Sequence, residues 1–193
     1  MTTLPRRVAA VVALPIGEPD DAELVTRARG GDAWAHEAIY RRHVQRIARV
    51  GQRLLRNSAE VDDVVQETFL IAFEQLHELA QPAALRGWLT RIAISRVHRR
   101  FRWWRWWATA EVALLESQVS EEAGPDQRAE LALIDRALGR LSLKLRMAWV
   151  LRRVLGDSLD EVAEACACSL ATAKRRIAEA DAFVEQHLAG GAR

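Results

Sequence analysis

Between Val61 and Leu76 the apolar residues recur at three- and four-residue intervals: Val61, Val64, Val65, Thr68, Phe69, Ala72, Phe73 and Leu76. That spacing gathers them on one side of an α-helix, and no strand with a two-residue period could bury them together. The opposite side carries Asp62, Asp63, Gln66, Glu67 and Glu74. Asn57-x-x-Glu60 supplies a start signal of the capping-box kind. A helix of this type requires other helices or a sheet against its apolar face. The rest of the chain favours helices: Ala, Leu, Arg, Glu and Val dominate, and 50% of the residues are hydrophobic. The expected fold class is all-α.

The same reading places further helices on both sides. Asp20 to Arg29 reads as a short helix stopped by Gly30-Gly31. Asp32 offers an N-cap for a second, with Trp34, Ala38, Ile39, Val44, Ile47, Val50 and Leu54 inward. Ala80 to Ala84 is a break, because Pro82 disfavours helix at the residue before it. A fourth helix is expected from Leu85 to Trp104, with Trp88, Leu89, Ile92, Ala93 and Val97 inward. Periodicity weakens from Ala108 to Asp126 and returns at Leu131, Ile134, Leu138 and Leu141. Ser142 is expected to cap a helix reaching Leu155, and Ser158-x-x-Glu161 is a capping box. The predicted organisation is two small helical domains, 21–105 and 129–188, joined by a flexible linker at 106–128. Residues 1–20 form a flexible extension and 189–193 a tail. The apolar run Val8 to Ile16 resembles a short signal-peptide core, but no small-residue cleavage site follows it. With no stretch long enough to span a bilayer, a cytoplasmic chain without membrane insertion is expected.

The net charge is only +2, yet from Arg86 to Arg105 there are seven arginines and no acidic residue. A basic block inside a balanced total is a footprint of nucleic-acid binding, with a solvated basic face as the alternative. Cys166 and Cys168 lie two apart and point to different sides of a helix, so they read as small apolar residues in a reducing compartment. No nucleophile–base pair, metal cluster or glycine-rich phosphate loop stands out, so no catalytic residue, metal or cofactor is expected. Ser158 to Ile177 has the shape of a helix-turn-helix, with small Ala163 and Ala173 where the helices cross. Its second helix opens with Thr172, Lys174, Arg175 and Arg176, in the turns that such motifs place in the major groove.

Taken together, these motifs resemble a known family. Asp62-Asp63-Val64-Val65-Gln66-Glu67-Thr68-Phe69 resembles the D-x-V-Q-E-x-F signature of region 2 of sigma factors. Trp88-Leu89-Thr90-Arg91-Ile92-Ala93 is similar to the W-L-x-R-I-A motif that follows it. Leu141 to Ala148 and the helix-turn-helix resemble region 4. With no third conserved sigma domain between them, the chain is identified as a member of the compact extracytoplasmic-function (ECF) group of the sigma-70 family.

The resemblance implies a protein that recruits bacterial RNA polymerase core to promoter DNA. Asp63, Gln66 and Glu67 match the positions that dock on a coiled coil of the largest polymerase subunit. The loop Ala80 to Ala84 matches the reader of an unpaired minus-10 base, with Gln81 its one polar candidate. Arg96, Arg99, Arg100 and Arg102 are expected to neutralise promoter phosphates near that element. Thr172, Lys174 and Arg175 are expected to read the minus-35 element, with Arg176 and Arg152 on phosphates. An anti-sigma factor is an implied further partner. Trp103, Trp104, Trp106 and Trp107 are expected to pack against the second domain or linker, with DNA or an anti-sigma protein as the alternatives. The chain departs from the family at Ser95, where Asn is frequent, at Arg99, where Asp is, at Ser169, where Pro is, and at Glu179, near which a basic residue is frequent. A stand-alone helix-turn-helix regulator and a sigma-like protein without productive DNA contact remain competing readings.

Overall fold

The computed structural model describes residues 19–55, 57–107 and 125–191, the side chains of 102–132 and 189–191 excepted. These residues form α1 (Asp21–Arg29), α2 (Ala33–Leu54), α3 (Ser58–Glu74), α4 (Leu85–Trp107), α5 (Pro125–Arg140), α6 (Leu143–Trp149), α7 (Leu159–Ala165) and α8 (Leu170–Gly191). No strand occurs among the described residues. α4 and α5 reach into the expected linker from both ends, and α8 reaches into the expected tail; of the expected extension 1–20, residues 1–18 lie outside the described residues and Asp20 caps α1.

The first four helices form one unit, and their starts follow the chemistry of the caps. The Asp20 carboxylate accepts from the Glu23 N–H at 2.8 Å, Asp32 accepts from Trp34 at 2.9 Å and Ala35 at 3.4 Å, and Asn57 accepts from Glu60 at 2.7 Å. Gly31, at φ +85°, takes the left-handed turn that separates α1 from α2. On α3, Val61, Val64, Val65, Thr68, Phe69 and Ala72 are buried against α2 and α4. The Thr68 hydroxyl donates to the Val64 carbonyl at 2.6 Å, so the one polar member of the stripe is satisfied locally. A Cβ at Gly51 would lie 3.0 Å from Val61 Cγ1, which is why α2 and α3 can approach so closely there. Trp34 departs from expectation: it is 50% exposed in the first turn of α2, with the Arg27 guanidinium 4.7 Å over its ring.

In the second unit the expected helix from Ser142 to Leu155 is divided. α6 ends at Trp149 and a π turn runs from Val150 to Val154. Ser142 caps α6 through its carbonyl, which accepts from Leu145 and Arg146 at 3.0 Å, and not through its side chain. The capping box of α7 is complete: Glu161 N–H donates to Ser158 Oγ at 3.2 Å, and Ser158 N–H donates to Glu161 Oε2 at 2.7 Å.

The two units are docked on one another. Met147, Ala148, Leu151, Val162, Ala173 and Ile177 share a continuous buried core with α1–α4, while α5 packs on α8 in a smaller cluster around Leu138, Leu141 and Val184. Ion pairs ring this contact. Arg46 of α2 pairs with Asp157, whose side chain is 4% exposed, and also donates to the Leu155 carbonyl at 3.3 Å. Burial raises the Asp157 pKa, with Arg46 opposing. Loss of Arg46 would leave a buried carboxylate uncompensated, a cost of about 3–5 kcal/mol. Arg53 meets Asp135 at 3.2 Å, Arg91 meets Glu164 at 3.0 Å, and Arg86 pairs with Glu161. The last two pairs are largely exposed, so they orient α4 on α7 more than they hold it.

Glu161 makes one acid-sensitive point. Burial opposes its ionisation, but the Ser158 N–H, the Arg86 guanidinium and the Ser158 hydroxyl outweigh that, and its pKa falls from the ordinary 4.5 to about 2. The ionised form therefore stabilises the fold fully above about pH 4.5, and that stabilisation is lost as pH falls toward 2. Glu161→Gln is expected to lower stability at neutral pH by about 1 kcal/mol and to flatten the decline across this acid window. Thermal melts of both proteins from pH 2 to 7 check this; parallel curves would remove Glu161 as its source.

Candidate nucleic-acid and partner interfaces

Burying one stripe of α3 leaves the other in solvent. Asp62, Asp63, Gln66, Leu70 and Glu74 are exposed, and Glu67 is partly so; the Asp63 and Glu67 side chains are 58% and 43% exposed. Sequence reasoning singled out Asp63, Gln66 and Glu67 but missed Leu70, which is 55% exposed on the same side. Its spacing of seven from Asp63, four from Gln66 and three from Glu67 is the signal that finds it. The face is acidic and amide-bearing with an apolar residue at one end. That combination suits a basic partner with an apolar contact of its own.

The segment between α3 and α4 is held at both ends by buried Leu76, Leu79 and Leu85. Arg29 of α1 grips it from below: its guanidinium donates to the Leu76 carbonyl through Nε and Nη2, both at 3.1 Å, and to the Leu79 carbonyl. A 3-10 turn at Pro82–Ala84 then leads into α4. Ala80, Gln81, Ala83 and Ala84 are exposed, so Gln81 presents its amide beside small side chains. Such a loop is fixed at its base and open at its tip.

The arginines of α4 divide by environment. Arg99 is exposed and Arg96 half-buried, with its Nε buried and without a hydrogen-bond partner among the described residues. Arg100 turns toward α3: Nη1 donates to Asp63 at 3.3 Å and Nη2 to Glu67 at 2.8 Å. The side chains of Arg102 and of Trp103, Trp104, Trp106 and Trp107 lie outside those described.

The helix-turn-helix forms as expected from α7, a turn through Ala167 at φ +47°, and α8. Ala163 and Ala173 are buried. Ser169 caps α8, its hydroxyl accepting from the Thr172 N–H at 3.2 Å and lying 2.9 Å from the Thr172 hydroxyl. Thr172 is thus half-buried and partly engaged in the cap. Ala171, Lys174, Arg175 and Ala178 are exposed at helical spacing along one side of α8, and Arg176 is half-buried. Two cations flanked by alanines let a helix lie close in a major groove. Arg152 donates to the Asp157 carbonyl at 2.8 Å. Burial pushes the Cys166 thiol up to about 12, with Cys168 adding to the shift, so the thiol stays protonated and unreactive.

Comparison with known proteins places these surfaces in context. Residues 39–108 match the family model "Sigma-70 region 2" and residues 131–180 match "Sigma-70, region 4". The chain is 31% identical over 169 residues to the RNA polymerase sigma factor NccH of Alcaligenes xylosoxydans xylosoxydans, covering 84% of this chain and 91% of that protein. It is 30% identical over 166 residues to the ECF RNA polymerase sigma factor SigM of Mycobacterium tuberculosis, covering 86% and 83%. Among solved structures it is similar to CnrH in complex with the cytosolic domain of CnrY, with TM-score 0.69 at 26% identity over 88% of this chain and 97% of that one. A second likeness is the sigma factor RpoE of Bartonella quintana bound to the anti-sigma factor NepR; its TM-score is 0.64 at 20% identity over 75% and 91%, a likeness of fold. No described helix is long and apolar enough to cross a membrane.

Proposed function

Because the chain belongs to the ECF group of the sigma-70 family, we propose a division of its surfaces among the tasks of promoter-directed initiation. The protein is an RNA polymerase sigma factor: it acts by binding, not by catalysis. Residues 21–105 form the unit that docks on polymerase core and reads the minus-10 element. Residues 129–188 form the unit that reads the minus-35 element. On α3, Asp63, Gln66 and Glu67 meet the core, with Leu70 as an apolar neighbour in the same contact. Gln81 meets the extruded minus-10 base, whose unstacking costs a few kcal/mol that the loop must offset. Arg96, Arg99 and Arg102 follow the adjacent phosphates. Thr172, Lys174 and Arg175 meet base edges of the minus-35 duplex, and Arg176 its backbone.

The observation that carries this reading is the exposure of α3's acidic-amide face while its apolar stripe is fully used inside the domain. A helix-turn-helix regulator acting alone has no use for such a face. CnrH and RpoE were solved with CnrY and NepR bound, and an anti-sigma partner acting in the cytoplasm is part of the same proposal. The test is run-off transcription with purified core on fragmented genomic DNA. Discrete start sites that appear only with this protein support the proposal; core-independent DNA binding without new transcripts would reject it.

A further inference from the structure

Arg100 stands on α4 among arginines suited to DNA, yet its guanidinium lies across the docking face of α3. Its two terminal nitrogens go to different carboxylates, Asp63 Oδ2 at 3.3 Å and Glu67 Oε1 at 2.8 Å. The side chain is 23% exposed, against 58% for Asp63 and 43% for Glu67, so the arginine lies beneath the acids. Its Nε is buried and has no hydrogen-bond partner among the described residues. Asp63 and Glu67 are one helical turn apart, where like charges repel. A planar guanidinium with a fixed fork holds both carboxylates at once in one set geometry, whereas a lysine ammonium on its flexible stem can reach them without fixing their positions. Toward Arg100 each acid accepts through one oxygen, and its second has no donor among the described residues and can take one from outside.

We propose that Arg100 is a positioning residue of the polymerase-docking face and not a ligand of promoter phosphates. It relieves the repulsion between Asp63 and Glu67 and fixes their rotamers, so that the free oxygens are presented in register with Gln66. Reaching DNA would require Arg100 to release two carboxylates, whereas Arg99 beside it is already exposed. This inference rests on the docking role assigned to α3 above.

The experiment compares R100A, R100K and R99A in two measurements: affinity for purified polymerase core, and the salt dependence with which assembled holoenzyme binds a single-stranded minus-10 oligonucleotide. R100A is expected to weaken core binding about tenfold and to leave the salt slope unchanged. R100K, which keeps the charge but not the fixed fork, is expected to recover part of the loss. R99A is expected to do the reverse, lowering the slope by about 0.7 for one lost phosphate contact. Unchanged or tighter core binding by R100A, or a reduced slope, would overturn the assignment. Should R100A fail to fold, R100K decides alone: weaker core binding at an unchanged slope supports the proposal, and wild-type core binding overturns it. If lysine at both Gln66 and Glu67 also leaves core binding intact, it is the docking role of α3 that fails.

Discussion

Lysine at both Gln66 and Glu67 is expected to abolish recovery of this sigma factor with polymerase core while leaving its helical content intact. Both residues lie on the side of α3 opposite Val64, Val65, Thr68 and Phe69, which are buried. No core packing is disturbed, and exposed substitutions of this kind usually change stability by no more than about 0.5 kcal/mol. Glu67→Lys also removes a contact to the partly buried Arg100, which keeps Asp63 as a partner, a loss of about 1 kcal/mol. Binding is more sensitive. Truncating one partner of a desolvated charge pair costs about 2–5 kcal/mol, and reversal adds repulsion, so affinity should fall by roughly two orders of magnitude or more. Co-purification and a direct titration with core measure it, with circular dichroism as the fold control. Undiminished binding by the folded variant would remove α3 from the interface.

The second large effect is expected at the other end of the molecule. Lys174→Ala combined with Arg175→Ala should weaken binding to upstream promoter duplex by roughly 10- to 1000-fold, since one well-placed base contact is worth about 1–3 kcal/mol. Both side chains are exposed on the same side of α8 and neither contributes to the core. Each of the two cations also lies in the field of the duplex phosphates and displaces counterions, so the slope of log affinity against log salt should fall too, by at most about 0.9 per cation removed. Wild-type affinity and slope in the double variant would move minus-35 recognition elsewhere on the domain. Binding to the minus-10 single strand should be unaffected, which separates a local loss from a general one.

What the sequence disclosed was mostly local. The stripe from Val61 to Ala72, the caps at Asp32 and Asn57, and the Ser158–Glu161 box all rest on spacings of a few residues, and each forms as its spacing implied. Exposure of Gln66 follows from the same geometry. The fate of the arginines did not follow. Arg29 reaches carbonyls 47 and 50 residues away, Arg46 an aspartate 111 residues away, and Arg100 a glutamate 33 residues back. A guanidinium on a flexible stem has no periodic signature, so sequence alone shows a basic block and not which members are committed inside the fold. The docking of the two domains was hidden for the same reason. Its buried residues extend stripes that each domain already needs for itself, and its ion pairs join separate segments of the chain.

Site-specific photocrosslinking in a single promoter complex tests the account most directly. A photoreactive residue at Leu70 probes the docking face, and one at Ala171 probes the exposed side of α8. With core and promoter present, Leu70 should crosslink to the largest polymerase subunit, and Ala171 to duplex DNA about two helical turns upstream of the melted strand. Crosslinking of Ala171 to DNA with equal yield in the absence of core, with no polymerase adduct at Leu70, would contradict it.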